Sequence, residues 1–241
     1  MAMEEDRNFL TSGQVLEKIR MSLEGSHPFS LVRIGDGENI VLAQDSVWTI
    51  EKVLSQPWAQ RAMEGKKGID LPNLELRDRM IEAIGKADLV GIHKKNDQAI
   101  IAPEWHKRPL TDEIFAYYGV KPKAICDALI MRNLAAKKDY WDLFKRRKVL
   151  LIYHDAANLK KAMEELYQLN IPYIINFNHY NQLSQTLKEI TENRNLFDVA
   201  LISCGVTAVV LAPKIAELGK IGIDFGKGSQ AIIQKAIVKI N

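Results

Sequence analysis

From Lys148 to the end of the chain, short apolar segments alternate regularly with segments of helical pattern. Strands are predicted at residues 148–152, 172–176, 198–202 and 220–224, and helices at 156–169, 181–193, 206–218 and 228–238. The strand segments are β-branched and apolar without polar alternation, as expected when helices cover both faces of a sheet. This alternation predicts an α/β fold with a doubly wound, mostly parallel, Rossmann-like sheet.

The first part of the chain adds three strand segments and more helix. Strands are predicted at residues 30–34, 88–92 and 123–126. A helical segment at 11–25, for which Ser12 is the expected cap, precedes the first of them. Residues 48–86 are predicted to be all-helical and residues 93–110 to form a polar loop. Because no internal repeat or Gly/Ser linker is found, we expect a single domain over residues 1–241 with a helical insertion at 48–86.

Composition excludes several classes of protein. Lys and Arg total 33 and Asp and Glu total 30 among 241 residues, so the net charge is +3, and 47% of residues are hydrophobic. These values exclude a collagen, a disordered tail and a disulfide scaffold, and the charge gives no argument for nucleic acid. Cys126 and Cys204 are expected to be free thiols in a reducing cytosol. The acidic N-terminus predicts no signal peptide, and no apolar run has transmembrane length, so we expect a cytoplasmic location.

Ligands of an open parallel sheet bind beyond the carboxyl ends of its strands, and one motif at such an end stands out. Asp36 and Glu38 flank Gly37 directly after the first long strand. A tight turn at that glycine would bring the two carboxylates together. Such oxygen ligands suit Mg²⁺ or Mn²⁺, which complete their coordination with phosphate and water. The alternative is a turn in which Asp36 only caps a helix that begins near Glu38.

A second motif at a strand end is L-I-S-C-G-V-T-A, residues 201–208. A strand enters a turn of small residues and then a helix, so free backbone N–H groups can face an anion. Ser203 and Thr207 add hydroxyl donors on either side of Gly205. The motif favours phosphate binding; the alternative is that the glycine only lets the strand and helix pack closely.

Other residues near strand ends are weaker candidates. His154 can bind a phosphate or exchange protons, although a lone histidine there is more often structural. Arg132 can neutralise a diphosphate or pair with a surface acid. Trp105 and His106 can cover a sugar or only fix their loop. The basic run at residues 145–148 reads as a solvated helix end, with contact to a membrane surface as the minority alternative.

Several common enzyme motifs are absent from the sequence. It contains neither G-x-S-x-G, G-x-x-x-x-G-K-[ST] nor H-E-x-x-H. The absence of these motifs argues against a common serine hydrolase, a P-loop NTPase and a zincin.

The string F-S-L-V-R-I-G-D-G-E, residues 29–38, resembles the opening motif of the GT-D-type glycosyltransferases, bacterial enzymes with a D-x-E metal motif. The resemblance continues in matching order at residues 198–208 and 221–226, and more faintly at 126–132. It implies a Rossmann-like sheet and a divalent metal, usually Mn²⁺, held by the two acidic residues of the motif. It also implies a UDP-sugar donor and a hydroxyl on a growing glycan as acceptor. Residues 153–158 depart from the glycine-rich acidic stretch of the family, which leaves the donor sugar and the acceptor open.

The positions at strand ends and the resemblance together give each candidate a role. Asp36 and Glu38 hold the metal, which neutralises charge on the leaving diphosphate. Donor binding is assigned to Arg33, Gly35, Gly37, Arg132, His154, Ser203, Gly205, Thr207 and Asp224. A general base, needed only if the transfer inverts configuration, is Asp127, Asp155 or Asp224, and Asp127 is counted among the catalytic residues.

Two other functions stay open at this point. A strand followed by G-D-G-E, residues 35–38, resembles the glycine loop of an S-adenosylmethionine-dependent methyltransferase. However, Glu38 and Asn39 stand where such a loop has its third small residue. No acidic residue ends a second strand about twenty residues on, as ribose binding prefers. A non-catalytic nucleotide-sugar-binding module of a glycan-assembly system is the other alternative. The length leaves little room for an acceptor domain, so the acceptor is expected to meet loops, a second subunit of a homo-oligomer or a partner.

Overall fold

The computed structural model describes residues 9–240. Its strands are β1 (Phe9–Leu10), β2 (Phe29–Ile34), β3 (Leu89–Ile92), β4 (Ile125–Asp127), β5 (Lys148–Tyr153), β6 (Asn170–Asn176), β7 (Val199–Ser203) and β8 (Ile221–Asp224). Its α-helices are α1 (Ser12–Gly25), α2 (Asp36–Leu42), α3 (Ile50–Leu54), α4 (Pro57–Met63), α5 (Leu74–Lys86), α6 (Arg108–Tyr118), α7 (Ile130–Ala135), α8 (Lys138–Asp142), α9 (Ala156–Tyr167), α10 (Leu183–Glu192), α11 (Ala208–Glu217) and α12 (Gly228–Ile240). None of these helices is long and apolar enough to cross a membrane.

The eight strands form one sheet in the order β1-β4-β3-β2-β8-β7-β5-β6. Every pairing is parallel, as in β2–β3, where Ile34 lies opposite Ile92. The strand β2 lies between β3 and β8, so the motif that follows it opens at the middle of the carboxyl edge. The predicted parallel sheet is confirmed.

Helices cover both faces of the sheet because the strand side chains alternate between two apolar cores. Val32 and Ile34 of β2 join one core, to which α5, α6, α10 and α11 contribute. Leu31 joins the other, with α1, α7, α8, α9 and α12. The doubly wound arrangement is therefore confirmed.

The start of the chain differs from the prediction in two details. Thr11, not Ser12, caps α1: its hydroxyl accepts the N–H of Gln14 at 3.3 Å, and the Gln14 side chain accepts the N–H of Thr11 at 2.8 Å. This reciprocal pair is a capping box. The strand β1, which was not predicted, pairs with β4 through only two residues.

The insertion at residues 48–86 contains three helices, but residues 64–73 are not helical, so the all-helical prediction was wrong there. Gly65 and Gly68, in the turns that follow α4, adopt φ of +76° and +68°, a left-handed conformation that favours glycine. The segment between them lies beside the turns after β6 and β7, since a Cβ on Gly68 would lie 2.6 Å from the Asn178 carbonyl oxygen and one on Gly205 would lie 3.8 Å from that of Lys67. The N–H of Tyr180, beyond β6, donates to the Gly68 carbonyl at 2.8 Å.

Residues 93–110 are less irregular than predicted. A short 3-10 helix occupies Glu104–His106, and α6 begins at Arg108. The buried side chain of Asn39 in α2 donates to the carbonyls of His106 and Lys107 at 2.9 and 3.0 Å. The segment is thereby fixed to α2, the helix that begins with the D-G-E motif.

Candidate functional site

The D-G-E motif forms the first turn of α2. Gly35 is the N-cap, and Glu38, at the third helical position, accepts the N–H of Gly35 at 2.9 Å. The alternative in which Asp36 caps the helix is therefore wrong, because Gly35 is the N-cap and Asp36 is the first helical residue. Among residues 9–240, Asp36 has no hydrogen-bonding or ion-pair partner. One carboxylate of the motif is thus held in the turn, and the other is free for a ligand.

Gly37 is required by a close contact rather than by a tight turn. It is a helical residue, and a Cβ on it would lie 2.6 Å from Cε2 and Nε1 of Trp58. The expectation that the glycine provides an unusual turn was therefore wrong. Since α4 carries Trp58, the insertion packs directly on the acidic motif.

The pKa of Glu38 is raised from 4.5 to about 7. Burial withdraws the carboxylate from water, and the nearby charges of Asp224 and Asp36 act in the same direction, against the opposing effect of Arg33. A neighbouring cation would stabilise the ionised form of this carboxylate.

A cleft of about 1010 Å³ lies beyond the carboxyl ends of the central strands. Cationic side chains that form no ion pair with the described residues line it: Arg61, Lys67, Arg132 and Lys227. Burial and the neighbouring charges of Arg61 and Lys227 lower the pKa of Lys67, and the two acidic residues of the motif oppose this shift. The cleft therefore combines a free carboxylate with a group of uncompensated cations.

The turn after β7 contributes backbone to the same cleft. Gly205 has φ of +65° and starts the 3-10 helix Gly205–Thr207 that leads into α11. Ser203 also lines the cleft, and its hydroxyl lies 2.6 Å from that of Ser229. Thr207 is fully buried outside the cleft lining, and its Oγ1 has no partner among the described residues.

Most of the residues predicted from sequence line this one cleft: Arg33, Gly35, Asp36, Gly37, Glu38, Arg132, His154, Ser203 and Gly205. The three carboxylates proposed as general bases do not line it. Asp127 accepts the N–H of Leu129 at 2.8 Å, and Asp155 accepts from the Asn158 amide at 2.8 Å. Asp224 is 2% exposed.

Arg33 supports the motif from beneath. Its Nη2 lies 2.8 Å from Asp224 Oδ1, and its Nε donates to the Asp224 carbonyl at 3.0 Å. A Cβ on Gly226, which has φ of +58°, would collide with the guanidinium. The side chain thus joins the ends of β2 and β8, as expected of a residue that supports the turn.

The sequence reasoning missed the contribution of the insertion. Trp58, Arg61 and Lys67 reach the cleft from outside the strand ends where candidates were sought. The string E-G-K-K-G at residues 64–68 was the available signal, because paired glycines around lysines are typical of a turn that presents charge.

The carboxylate oxygens of the D-G-E motif are suitable ligands for a hard divalent cation. Mg²⁺ and Mn²⁺ are commonly held by one or two carboxylates together with substrate phosphates. Asp36 is free to ligate, and one oxygen of Glu38 remains after the bond to Gly35. Within residues 9–240 no three His, Cys, Asp or Glu side chains form a ready metal cluster. The remaining ligands of such an ion would come from substrate and water.

A family model described as a GT-D fold-like domain matches residues 10–232. No curated protein matches the chain.

Solved structures with the same fold are similar over nearly the whole chain. One is titled a new glycosyltransferase (DUF1792) from Streptococcus sanguinis; it is 18% identical, with a TM-score of 0.63, and the match covers 95% of this chain and 85% of that one. A second, whose title describes domain of unknown function 1792 as having a distinct glycosyltransferase fold, is 17% identical with a TM-score of 0.64 and coverage of 98% and 85%. A selenomethionine-substituted structure of the same domain is 16% identical, with a TM-score of 0.65 and coverage of 96% and 82%. At these identities the similarity shows a shared fold.

Proposed function

The chain belongs to the family of GT-D fold-like domains, and from this membership we propose that it is a metal-dependent glycosyltransferase. It transfers a sugar from a nucleoside diphosphate sugar, in our proposal a UDP-sugar, to a hydroxyl of a glycan or glycoconjugate. One observation carries the proposal: the unpartnered Asp36 shares a cleft with four cations that have no ion-pair partner among the described residues. A divalent cation bound to a diphosphate satisfies both charges at once.

We assign Asp36 and Glu38 as the ligands of Mn²⁺ or Mg²⁺. When bound, the ion neutralises charge that develops on the leaving diphosphate. The carboxylate oxygens are the hard donors that both ions prefer. Arg33 fixes the turn that carries them through its bonds to Asp224.

We propose that groups from the insertion, from the loop after β8 and from the turn after β7 neutralise the remaining charge of the diphosphate. Lys67 and Arg61 enter the cleft from the insertion, and Lys227 enters from the loop after β8. The turn at Gly205 offers backbone N–H groups where the chain enters α11. Hydrogen-bond donors from these three segments can therefore hold the phosphates in one orientation.

Thermal stabilisation by ligands tests this proposal. The wild type and Asp36→Asn are heated with UDP and Mn²⁺, with UDP and EDTA, and with S-adenosylmethionine. A ligand well above its dissociation constant raises the melting temperature by several degrees, so UDP with Mn²⁺ is expected to stabilise only the wild type. Asp139→Asn, an exposed substitution in α8, is the control for loss of one negative charge.

Each possible result decides between the functions. Equal stabilisation by UDP in EDTA, or of Asp36→Asn, contradicts the metal role. Stabilisation by S-adenosylmethionine alone replaces the proposal with a methyltransferase. Release of UDP from a UDP-sugar supports an enzyme, whereas binding without turnover supports a non-catalytic nucleotide-sugar-binding module.

The proposal assumes a cytoplasmic location. Cys126 and Cys204 are free, which agrees with a reducing compartment. Recognition of the acceptor is assigned to the loops around the cleft together with a second subunit or a glycan-assembly partner.

A further inference from the structure

A histidine–aspartate pair lies beside the acidic motif. His93 directly follows β3, which pairs with β2, and its ring contributes to the cleft wall. The side chain is 2% exposed, and its Nδ1 lies 2.8 Å from Oδ2 of Asp97. The carboxylate thus fixes the orientation of a buried ring next to Gly35.

The contacts of Asp97 determine which ring nitrogen carries the proton. Burial acts to raise the pKa of Asp97, but it is lowered overall because the Ala99 N–H and the His93 ring hydrogen-bond to the carboxylate. An ionised carboxylate can only accept a hydrogen bond, so we assign the proton of neutral His93 to Nδ1. Its Nε2 then presents a lone pair.

This Nε2 is buried and has no hydrogen-bond partner among residues 9–240. A Cβ on Gly35 would lie 4.0 Å from it and 2.8 Å from Oε2 of Glu38. The free nitrogen and the acidic motif therefore flank the same glycine. Buried polar atoms without a partner are rare in native proteins, and a catalytic role is one of the reasons for which they persist.

The loop after β3 is built to hold this pair in place. Lys107 donates to the backbone carbonyl of Asp97. Its Nζ also lies 3.3 Å from Oε2 of Glu104, whose Oε1 accepts the N–H of Asn96 at 3.1 Å. The backbone is thus held both at Asp97 itself and at the residue before it, Asn96.

We propose that His93 is the general base that accepts the proton of the attacking hydroxyl, with Asp97 as its positioning residue. This inference rests on the proposed glycosyl transfer. The acceptor oxygen bonds to the anomeric carbon, and the bond from that carbon to the diphosphate oxygen breaks. The diphosphate leaves with the electron pair, and the hydroxyl proton moves to Nε2. Of the bases considered from sequence, Asp127 and Asp155 are bonded to nearby residues and Asp224 is bonded to Arg33, and none of the three lines the cleft.

The test compares His93→Gln, Asp97→Asn and the control His27→Gln, an exposed substitution remote from the cleft. Stabilisation by UDP with Mn²⁺ measures binding, and release of UDP from UDP-sugars, with water as acceptor, measures turnover. A general base contributes about 10²- to 10⁴-fold, so His93→Gln is expected to lose at least about 100-fold in turnover and to keep its binding. Asp97→Asn is expected to lose at least about tenfold, and His27→Gln to match the wild type.

Nitrogen-15 NMR of the histidine ring gives a readout that does not depend on turnover. The wild type is expected to show a protonated Nδ1 and an unprotonated Nε2, and Asp97→Asn a shift toward protonated Nε2. Because Asp97 lies in a loop, this variant tests the inference even if His93→Gln fails to fold.

The remaining outcomes overturn the inference in distinguishable ways. Full turnover by His93→Gln excludes the base and leaves the proposed function intact. Loss of UDP–Mn²⁺ binding by a folded His93→Gln makes the residue a ligand instead. A protonated Nε2 in the wild type contradicts the assigned tautomer. A wild type that releases UDP from no donor removes both the proposed transfer and its base.

Discussion

Arg33 and Asp224 form a buried ion pair beneath the turn that carries the acidic motif. Arg33 Nη2 lies 2.8 Å from Asp224 Oδ1, and the two side chains are 20% and 3% exposed. The residues are 191 positions apart in sequence, but Asp224 is the last residue of β8 and Arg33 is the last but one of the neighbouring strand β2. The pair therefore fixes two central strands to each other at the edge where the cleft opens.

The substitution Asp224→Ala is expected to lower the free energy of unfolding by about 3–5 kcal/mol, because it leaves the Arg33 guanidinium buried without a counter-charge. Urea unfolding measures the difference. The control is Glu75→Ala, which removes an exposed partner of Arg79 at 2.7 Å and is expected to cost less than about 1 kcal/mol. Equal losses in the two variants would contradict the expected cost of leaving the Arg33 guanidinium without a counter-charge.

The substitution Gly37→Ala is expected to destabilise the protein, although alanine is normally the better helix former. A Cβ at this position would meet the Trp58 indole at 2.6 Å, and overpacking of this kind costs about 1–3 kcal/mol. Gly85→Ala in α5, where a Cβ has open space, is the control. It is expected to stabilise by about 0.5–1 kcal/mol. Urea unfolding of both variants measures these opposite signs.

The contact with Trp58 is tested further by adding Trp58→Ala to Gly37→Ala. If the indole causes the strain, the two substitutions are expected to be non-additive, and the double variant to lose less stability than the sum of the single variants. Additive losses would contradict the proposed clash.

The sheet and its central motif could be predicted because both are local patterns. Apolar runs between helical segments indicated the strands, and β5, for example, extends only one residue beyond its predicted end at residue 152. The D-G-E motif was found because it directly follows a strand, and the carboxyl edge of a parallel sheet is where ligands bind. The same argument correctly brought Ser203 and Gly205 to the cleft.

The parts that were missed depend on contacts between distant segments. Trp58 lies on Gly37 only because α4 folds back over α2, and no local pattern shows that contact. Lys67 reaches the cleft because the segment between two left-handed glycines after α4 lies beside the turns after β6 and β7. Asp224 was assigned to donor binding because it ends a strand, but its carboxylate is used by Arg33.

The substitution Lys67→Gln is expected to weaken binding of UDP with Mn²⁺ by about 10- to 100-fold, since a hydrogen bond to a charged group contributes about 1.5–3 kcal/mol. Lys188→Gln in α10 is the control, because this exposed lysine lies outside the cleft lining. Calorimetric titration measures both dissociation constants. Equal weakening in the two variants would indicate a general effect of charge rather than a contact with the diphosphate.

The raised pKa of Glu38 predicts how stability without metal depends on pH. The pKa of the native carboxyl is about 7, whereas the usual pKa of 4.5 applies in the unfolded chain. Between these values the native state binds more protons than the unfolded state, so the free energy of unfolding falls as pH rises through this window. Glu38→Gln has no titrating group here and can still accept the Gly35 N–H, so its decrease is expected to be smaller. Urea unfolding in EDTA at about pH 5 and about pH 8 measures both slopes, and parallel slopes would contradict the raised pKa.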